Sequence, residues 1–128
     1  MKNINVVAAV IKKGDLIFIT QRGYGEFKDF WEFPGGKIEL NESKEDAIKR
    51  EIKEELDASI NVDKYVGKVE YDYPTFHLNM DVFLASLTDD KLVLLEHESS
   101  SWVHKDELDK YNFLPADIKV IELLKDII

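Results

Sequence analysis

The sequence predicts an α+β fold in which a mixed β-sheet is sandwiched between helices, an α/β/α arrangement. Three observations lead there. Short apolar or alternating runs recur along the chain and are joined by tight turn signals, as strands require. Two segments instead carry amphipathic helical spacing, one mid-chain and one at the end. The length, 128 residues, suits one domain, residues 1–128.

Each element can be read in order. Asn5–Lys12 and Leu16–Arg22 are strands around the turn Lys13-Gly14-Asp15, a hairpin. Gly23–Phe30 is a polar loop, and Trp31-Glu32-Phe33-Pro34-Gly35-Gly36 leads into a short extended piece ending near Glu39. Asn41-Glu42-Ser43 signals a helix start, with Ser43 as N-cap and Asp46 in the reciprocal position of a capping box. That helix runs to about Leu56. Strands follow at Lys64–Tyr73 and Phe76–Leu87, turning at Pro74-Thr75. Thr88-Asp89-Asp90 is a turn, Lys91–Leu95 is apolar, Ser101–Val103 ends a strand, and Lys105–Asp109 forms a helical turn. Ala116–Ile128 closes the chain as a helix, with Ile118, Ile121, Leu124 and Ile128 near one side. On this reading the strands pair mostly as hairpins.

Composition narrows the function classes. Hydrophobic residues make up 45% of the chain, enough for a core. The absence of cysteine removes disulfides and thiolate metal sites and fits a cytoplasmic location. The longest apolar run, Val6–Ile11, is too short for a membrane span or a signal-peptide core. A net charge of −9 leaves no cationic footprint for polymeric nucleic acid. It also opposes a phosphate ligand unless divalent cations stand between the two.

The segment Gly36–Leu56 supplies a place for such cations. Successive helical residues advance by about 100°, so with Ala47 at zero, Glu54 falls near −20°, Glu51 near +40° and Glu55 near +80°. Three carboxylates share one arc, bordered by the apolar stripe Ile48, Ile52 and Leu56. Like charges at this spacing destabilise a helix, and a bound hard cation reverses the sign. Oxygen-only ligands favour Mg²⁺, with Mn²⁺ able to substitute, over zinc. Taken alone, the E-x-x-E-E run is also what a solvated acidic helix face looks like. His77, His97 and His104 have no metal spacing and read as structural, and G-x-S-x-G, P-loop and G-x-G-x-x-G motifs are absent.

Gly36, Glu42, Arg50, Glu51, Ile52, Glu54 and Glu55 stand in the spacing G-x5-E-x7-R-E-U-x-E-E, with U aliphatic. This resembles the Nudix box. Phe18–Arg22, Trp31–Glu39 and Phe113–Asp117 extend the resemblance to MutT-like nucleoside triphosphatases over nearly the whole chain. The family's next box glycine is replaced here by Asp57, which tolerates a left-handed backbone less well and puts charge at a helix C-terminus, a modest stability cost.

The resemblance implies a Nudix fold and roles for matching residues. Glu51 and Glu55 would bind metal, with Glu54 beside them for a second ion or a water. The Gly35 carbonyl would be a further ligand, its glycine allowing close approach, and Gly36 would border the substrate. Glu42 would support the loop, and Arg50 would orient a box glutamate. A later acidic ligand is expected at Glu96, with Glu98 as competitor. Arg22 matches a phosphate-contacting arginine. Asp117 sits where the base is read, with helix capping as its other reading. Phe76, Phe27 or Trp31 could stack on that base.

The implied activity is Mg²⁺-dependent hydrolysis of a (deoxy)nucleoside triphosphate to monophosphate and pyrophosphate, with Glu51 or Glu96 handling the water's proton. An ionised Asp117 offers acceptors only, which suits guanine, 8-oxoguanine or the cytosine amine. Rival readings are a Nudix hydrolase of ADP-ribose or dinucleoside polyphosphates, and a non-catalytic nucleotide-binding Nudix domain. The short chain speaks against ADP-ribose, and the intact box glutamates speak against the non-catalytic domain. Monomer and homodimer both remain open.

Overall fold

The computed structural model describes residues 1–128. The chain forms strands β1 (Lys2–Lys13), β2 (Leu16–Gln21), β3 (Trp31–Glu32) and β4 (Gly35–Lys37), then helix α1 (Lys44–Leu56). Strands β5 (Ile60–Tyr73), β6 (Phe76–Leu87) and β7 (Ser99–His104) follow. A 3₁₀ turn (Lys105–Lys110) and helix α2 (Pro115–Leu124) complete the chain.

All strands belong to one mixed sheet, with the central path β3-β2-β1-β6-β5. Two tight hairpins, β1–β2 and β5–β6, occur as expected, the first turning at Gly14-Asp15 with Gly14 at φ 61°. The pairing that joins them is not a hairpin. β1 runs parallel to β6 from Lys2↔Phe76 to Ile11↔Ala85. A parallel neighbour requires a long crossover, and residues 14–75, including α1, provide it. The other edge of β1 is shared, residues 11–13 pairing with β2 and residues 6–8 with β4. That division draws the Gly35-Gly36 strand under α1.

Side chains of a strand alternate between faces, and β1 thereby builds two cores. Val7, Ala9 and Ile11 pack with Ala47, Ile48, Ile52 and Leu56 of α1. Ala8 and Val10 pack on the opposite face with Ala116, Val120 and Leu124 of α2. The sheet is thus sandwiched between helices as expected. Burying each of Ile48, Ile52 and Leu56 stabilises by about 1.5–3 kcal/mol.

α1 starts and stops where the sequence indicates. The Ser43 hydroxyl accepts from the Asp46 backbone N–H at 3.1 Å, worth about 1 kcal/mol. Only this half of the capping box forms, because no Asp46 side-chain bond returns to Ser43. Asp57 ends the helix in the left-handed region (φ 49°, ψ 36°). Its charge is less unfavourable there than expected, because Lys91 and Lys53 lie 2.9 and 3.1 Å away and hold its pKa below the usual carboxylate value.

α2 departs from the expectation. It stops at Leu124, and its buried face is Ala116, Asp117, Val120 and Leu124. Ile118, expected on the buried side, is 49% exposed. The buried side follows Ala116, Val120 and Leu124 at four-residue spacing, and Ile118 stands roughly 200° round the helix from Ala116. No helix is long and apolar enough to cross a membrane.

Candidate active site

Local chain geometry decides how the box residues meet. β4 passes so close to β1 that a Cβ on Gly35 would run into the Val7 carbonyl, and a Cβ on Gly36 would overlap the Glu51 carboxyl group. The glycines are therefore required by backbone pairing and by the Glu51 side chain. This packing requirement stands beside the expected one, close approach to an ion. The Gly35 N–H donates to Glu55 Oε2 at 3.1 Å.

The three helix glutamates are graded in burial. Glu55 is buried at 8% exposure, the Glu51 side chain is 15% exposed, and that of Glu54 is 55% exposed. Burial, then the charges of Glu51, Glu32 and Glu96, push the Glu55 carboxyl up to about 9. Burial likewise raises Glu51, aided by Glu54 and Glu96 and opposed by Arg50. Glu51 and Glu55 both feel the charge of Glu96, and Glu55 also that of Glu51, so the three side chains lie around one cleft.

Arg50 gathers the loop and the helix. Its Nε donates to Glu42 at 2.7 Å and lies 3.1 Å from Glu39. Nη1 donates to Glu51 and Glu54, both at 2.9 Å, and Nη2 donates to Glu42 and to the Lys37 carbonyl. Glu42 also accepts from the Glu39 N–H, and its pKa is lowered, chiefly by the Arg50 bond. Glu42 thus clamps the loop to Arg50.

Two cavities flank this cluster and share Arg22, Glu32 and Gly35 as common wall. The polar one, about 240 Å³, is lined also by Tyr24, Gly25, Glu55, Glu96 and His97. Glu96 therefore faces the carboxylate cleft. Its competitor Glu98 lies against Gly23, and its backbone N–H is tied to the Gln21 carbonyl. The acidic groups on this cleft, Glu32, Glu55 and Glu96, offer carboxylate oxygens, which fit a hard divalent cation. No three acidic side chains converge tightly enough to form a metal cage by themselves, since Arg50 draws Glu51 and Glu54 to itself.

The second cavity, about 160 Å³, is apolar. Phe27, Phe33, Tyr73, Phe76, Leu78, Met80 and Leu114 line it, and Asp117 is its buried acid. Phe76 stacks on Tyr73 at 5.0 Å and 24°. Trp31 is not in the lining and packs edge-on against Tyr111. Asp117 is 6% exposed and does not cap α2, whose N-cap is Leu114. Its Oδ1 accepts from the Phe33 N–H at 3.0 Å. Burial and the charge of Glu32 push Asp117 up to about 8. It therefore keeps its proton to higher pH than an ordinary carboxyl and can donate as well as accept, where the sequence suggests acceptors only.

Glu32 went unassigned in the sequence, and its neighbour here, His97, reads there as structural. Glu32, whose side chain is 16% exposed, receives Arg22 Nη2 at 3.0 Å and Nε at 3.4 Å and has His97 Nε2 at 3.5 Å. Burial opposes its charge, yet the bonds from His97 and Arg22 outweigh burial and lower its pKa. An acid between Trp31 and Phe33, on a short strand, was the available signal.

Residues 6–123 match the NUDIX domain family. The chain belongs to the Nudix family. Among similar proteins, the CTP pyrophosphohydrolase of Escherichia coli (strain K12) is 32% identical over 123 residues, covering 95% of this chain and 91% of that protein. The 8-oxo-dGTP diphosphatase of Haemophilus influenzae is 33% identical over 126 residues, covering 96% and 92%. The solution structure of the E. coli ORF135 protein superposes with TM-score 0.86 at 32% identity, covering 99% of this chain and 91% of that one. The MutT Nudix hydrolase from Burkholderia pseudomallei shares the fold, with TM-score 0.88 at 23% identity, covering 97% and 99%. The chain is a Nudix hydrolase.

Proposed function

We propose that this Nudix hydrolase cleaves a (deoxy)nucleoside triphosphate to the monophosphate and pyrophosphate, acting on a modified guanine nucleotide such as 8-oxo-dGTP or on a cytosine nucleotide. The observation that carries the reading is the shared wall of Arg22, Glu32 and Gly35 between an apolar cavity and an acidic cleft. A base in the first cavity puts its own phosphates into the second.

Glu51, Glu55, Glu96 and the Gly35 carbonyl would hold Mg²⁺, or Mn²⁺ in its place, with Glu54 at the rim. Such an ion screens the phosphates and lowers the pKa of a bound water. The chain's own groups do the rest. Arg50 fixes Glu51, Glu51 or Glu96 accepts the water's proton, and Arg22 meets a phosphate oxygen. In the other cavity Phe76 and Phe27 flank the base and Asp117 reads its edge. Protonated, Asp117 pairs with a neighbouring N–H and bare nitrogen, as on cytosine; ionised, it pairs with two N–H groups, as on guanine.

The names of the similar proteins, a CTP pyrophosphohydrolase and 8-oxo-dGTP diphosphatases, support this substrate class. The test is turnover of 8-oxo-dGTP, dCTP, 5-methyl-dCTP, CTP and ADP-ribose with Mg²⁺, reading pyrophosphate against orthophosphate. Pyrophosphate from one of the triphosphates is expected. Turnover of ADP-ribose alone would overturn the proposal.

A further inference from the structure

We infer that His97 and Glu32 are positioning residues that hold the Arg22 guanidinium in the orientation that receives a ligand phosphate. The inference rests on the reading of Arg22 as the phosphate contact, and adds two residues that reading does not use.

Arg22 spends one edge of its guanidinium on the protein. Nε and Nη2 both donate to the Glu32 carboxylate, at 3.4 and 3.0 Å, while Nη1 has no protein partner. Arg22 borders both cavities. The fork to Glu32 therefore fixes the plane of the group and leaves Nη1 as the edge available to a phosphate. Bidentate arginine–carboxylate pairing imposes this kind of orientation, which a single contact does not.

Glu32 needs a second partner for this task. It is a largely buried carboxylate near two other buried acids, Glu55 and Asp117, whose ionisation it opposes. His97 supplies the partner, with Nε2 3.5 Å from Glu32 Oε2, the oxygen that Arg22 Nε also reaches. The imidazole side chain is only 6% exposed. Its other nitrogen, Nδ1, is buried and has no hydrogen-bond partner. An unsatisfied buried nitrogen is costly, and a histidine serving only to fill space would be replaced without loss by an apolar ring. The ring's single polar engagement is with Glu32, so that contact is what its polarity serves. The neighbouring Glu98 N–H, bonded to the Gln21 carbonyl at 3.1 Å, fixes the 96–98 segment beside the end of β2, next to Arg22.

The experiment measures KM and kcat for the nucleoside triphosphate turned over fastest by the full chain. It uses His97→Phe, His97→Gln, Glu32→Gln and Arg22→Ala, with His97→Phe also made in the Arg22→Ala background. His97→Phe keeps the bulk and removes the N–H. It is expected to raise KM about tenfold, with kcat changed less than about threefold. His97→Gln restores an N–H donor and is expected to recover most of the loss. Glu32→Gln raises KM similarly, giving the same answer from the carboxylate side if His97→Phe does not fold. With Arg22→Ala already present, His97→Phe should add nothing. Mn²⁺ affinity, titrated with the metal alone, should be unchanged in His97→Phe. An equal KM effect with and without Arg22, or a loss of Mn²⁺ affinity, would overturn the inference. If Arg22→Ala raises KM and His97→Phe does not, the inference falls while the phosphate role stands. If Arg22→Ala leaves KM unchanged, the phosphate role fails and takes the inference with it.

Discussion

A side-chain carbon on Gly36 would occupy the space filled by the Glu51 carboxyl group. The first expected outcome follows from that overlap. Gly36→Ala should displace Glu51 and reduce kcat/KM by about 100-fold, the cost of misplacing a catalytic group by an ångström, while Tm changes little. Gly35→Ala meets backbone instead, at the Val7 carbonyl and Ala8 Cα. It should lower Tm sharply, because a paired strand cannot move aside as a side chain can. Thermal melts beside steady-state kinetics on both variants check the contrast.

Arg50 ties four carboxylates and the Lys37 carbonyl together. Lysine carries the same charge but lacks the planar fork. Arg50→Lys should therefore cost about 10–100-fold in activity, with weaker Mg²⁺ dependence, because Glu51 and Glu54 lose their shared anchor. Mg²⁺ titrations of rate will separate this from a uniform loss of folded protein.

At the C-terminus of α1, Asp57 combines an unfavourable backbone conformation with two lysine partners. Asp57→Gly should relieve the first and lose the second, leaving Tm within about 2 °C of the parent. Asp57→Ala keeps the left-handed backbone and loses the lysines, and should melt lower than either. Raising the salt concentration should narrow the difference between Asp57→Ala and the parent by screening those exposed pairs.

Asp117 ties stability to pH. Its folded pKa, about 8, lies above the ordinary carboxylate value, so the native chain holds this proton after the unfolded chain has released it. The resulting stabilisation is fully present below about pH 4 and is lost as pH rises through about 8. Asp117→Asn removes that loss. The Tm of the parent minus that of Asp117→Asn should fall by several degrees between pH 5 and pH 9. Parallel curves would show that Asp117 is not held protonated.

The parts of this site legible in the sequence are those set by local chemistry. Ser43 and the spacing of Glu51, Glu54 and Glu55 depend on a few neighbouring residues, so α1, its cap and its acidic arc could be read directly. The left-handed Asp57 was legible for the same reason, but its compensation by Lys91 was not, since that partner is distant in sequence. Strand pattern identified β1 and β6 and could not reveal that they run parallel, because alternation marks a face and not a neighbour. The pKa of Asp117 is raised by burial and by Glu32, both supplied only by the fold. His97 read as a structural histidine because its partner Glu32 lies 65 residues earlier in the chain, on the far side of the box.

The central claim is that carboxylates of α1 assemble the reaction site, and the rate of Glu51→Gln tests it most directly. Single-turnover hydrolysis with saturating Mg²⁺ should fall by about three decades relative to the parent, with Tm preserved, since the amide keeps the shape of the group. A folded Glu51→Gln variant that hydrolyses the same nucleotide at a near-parental rate would contradict the account.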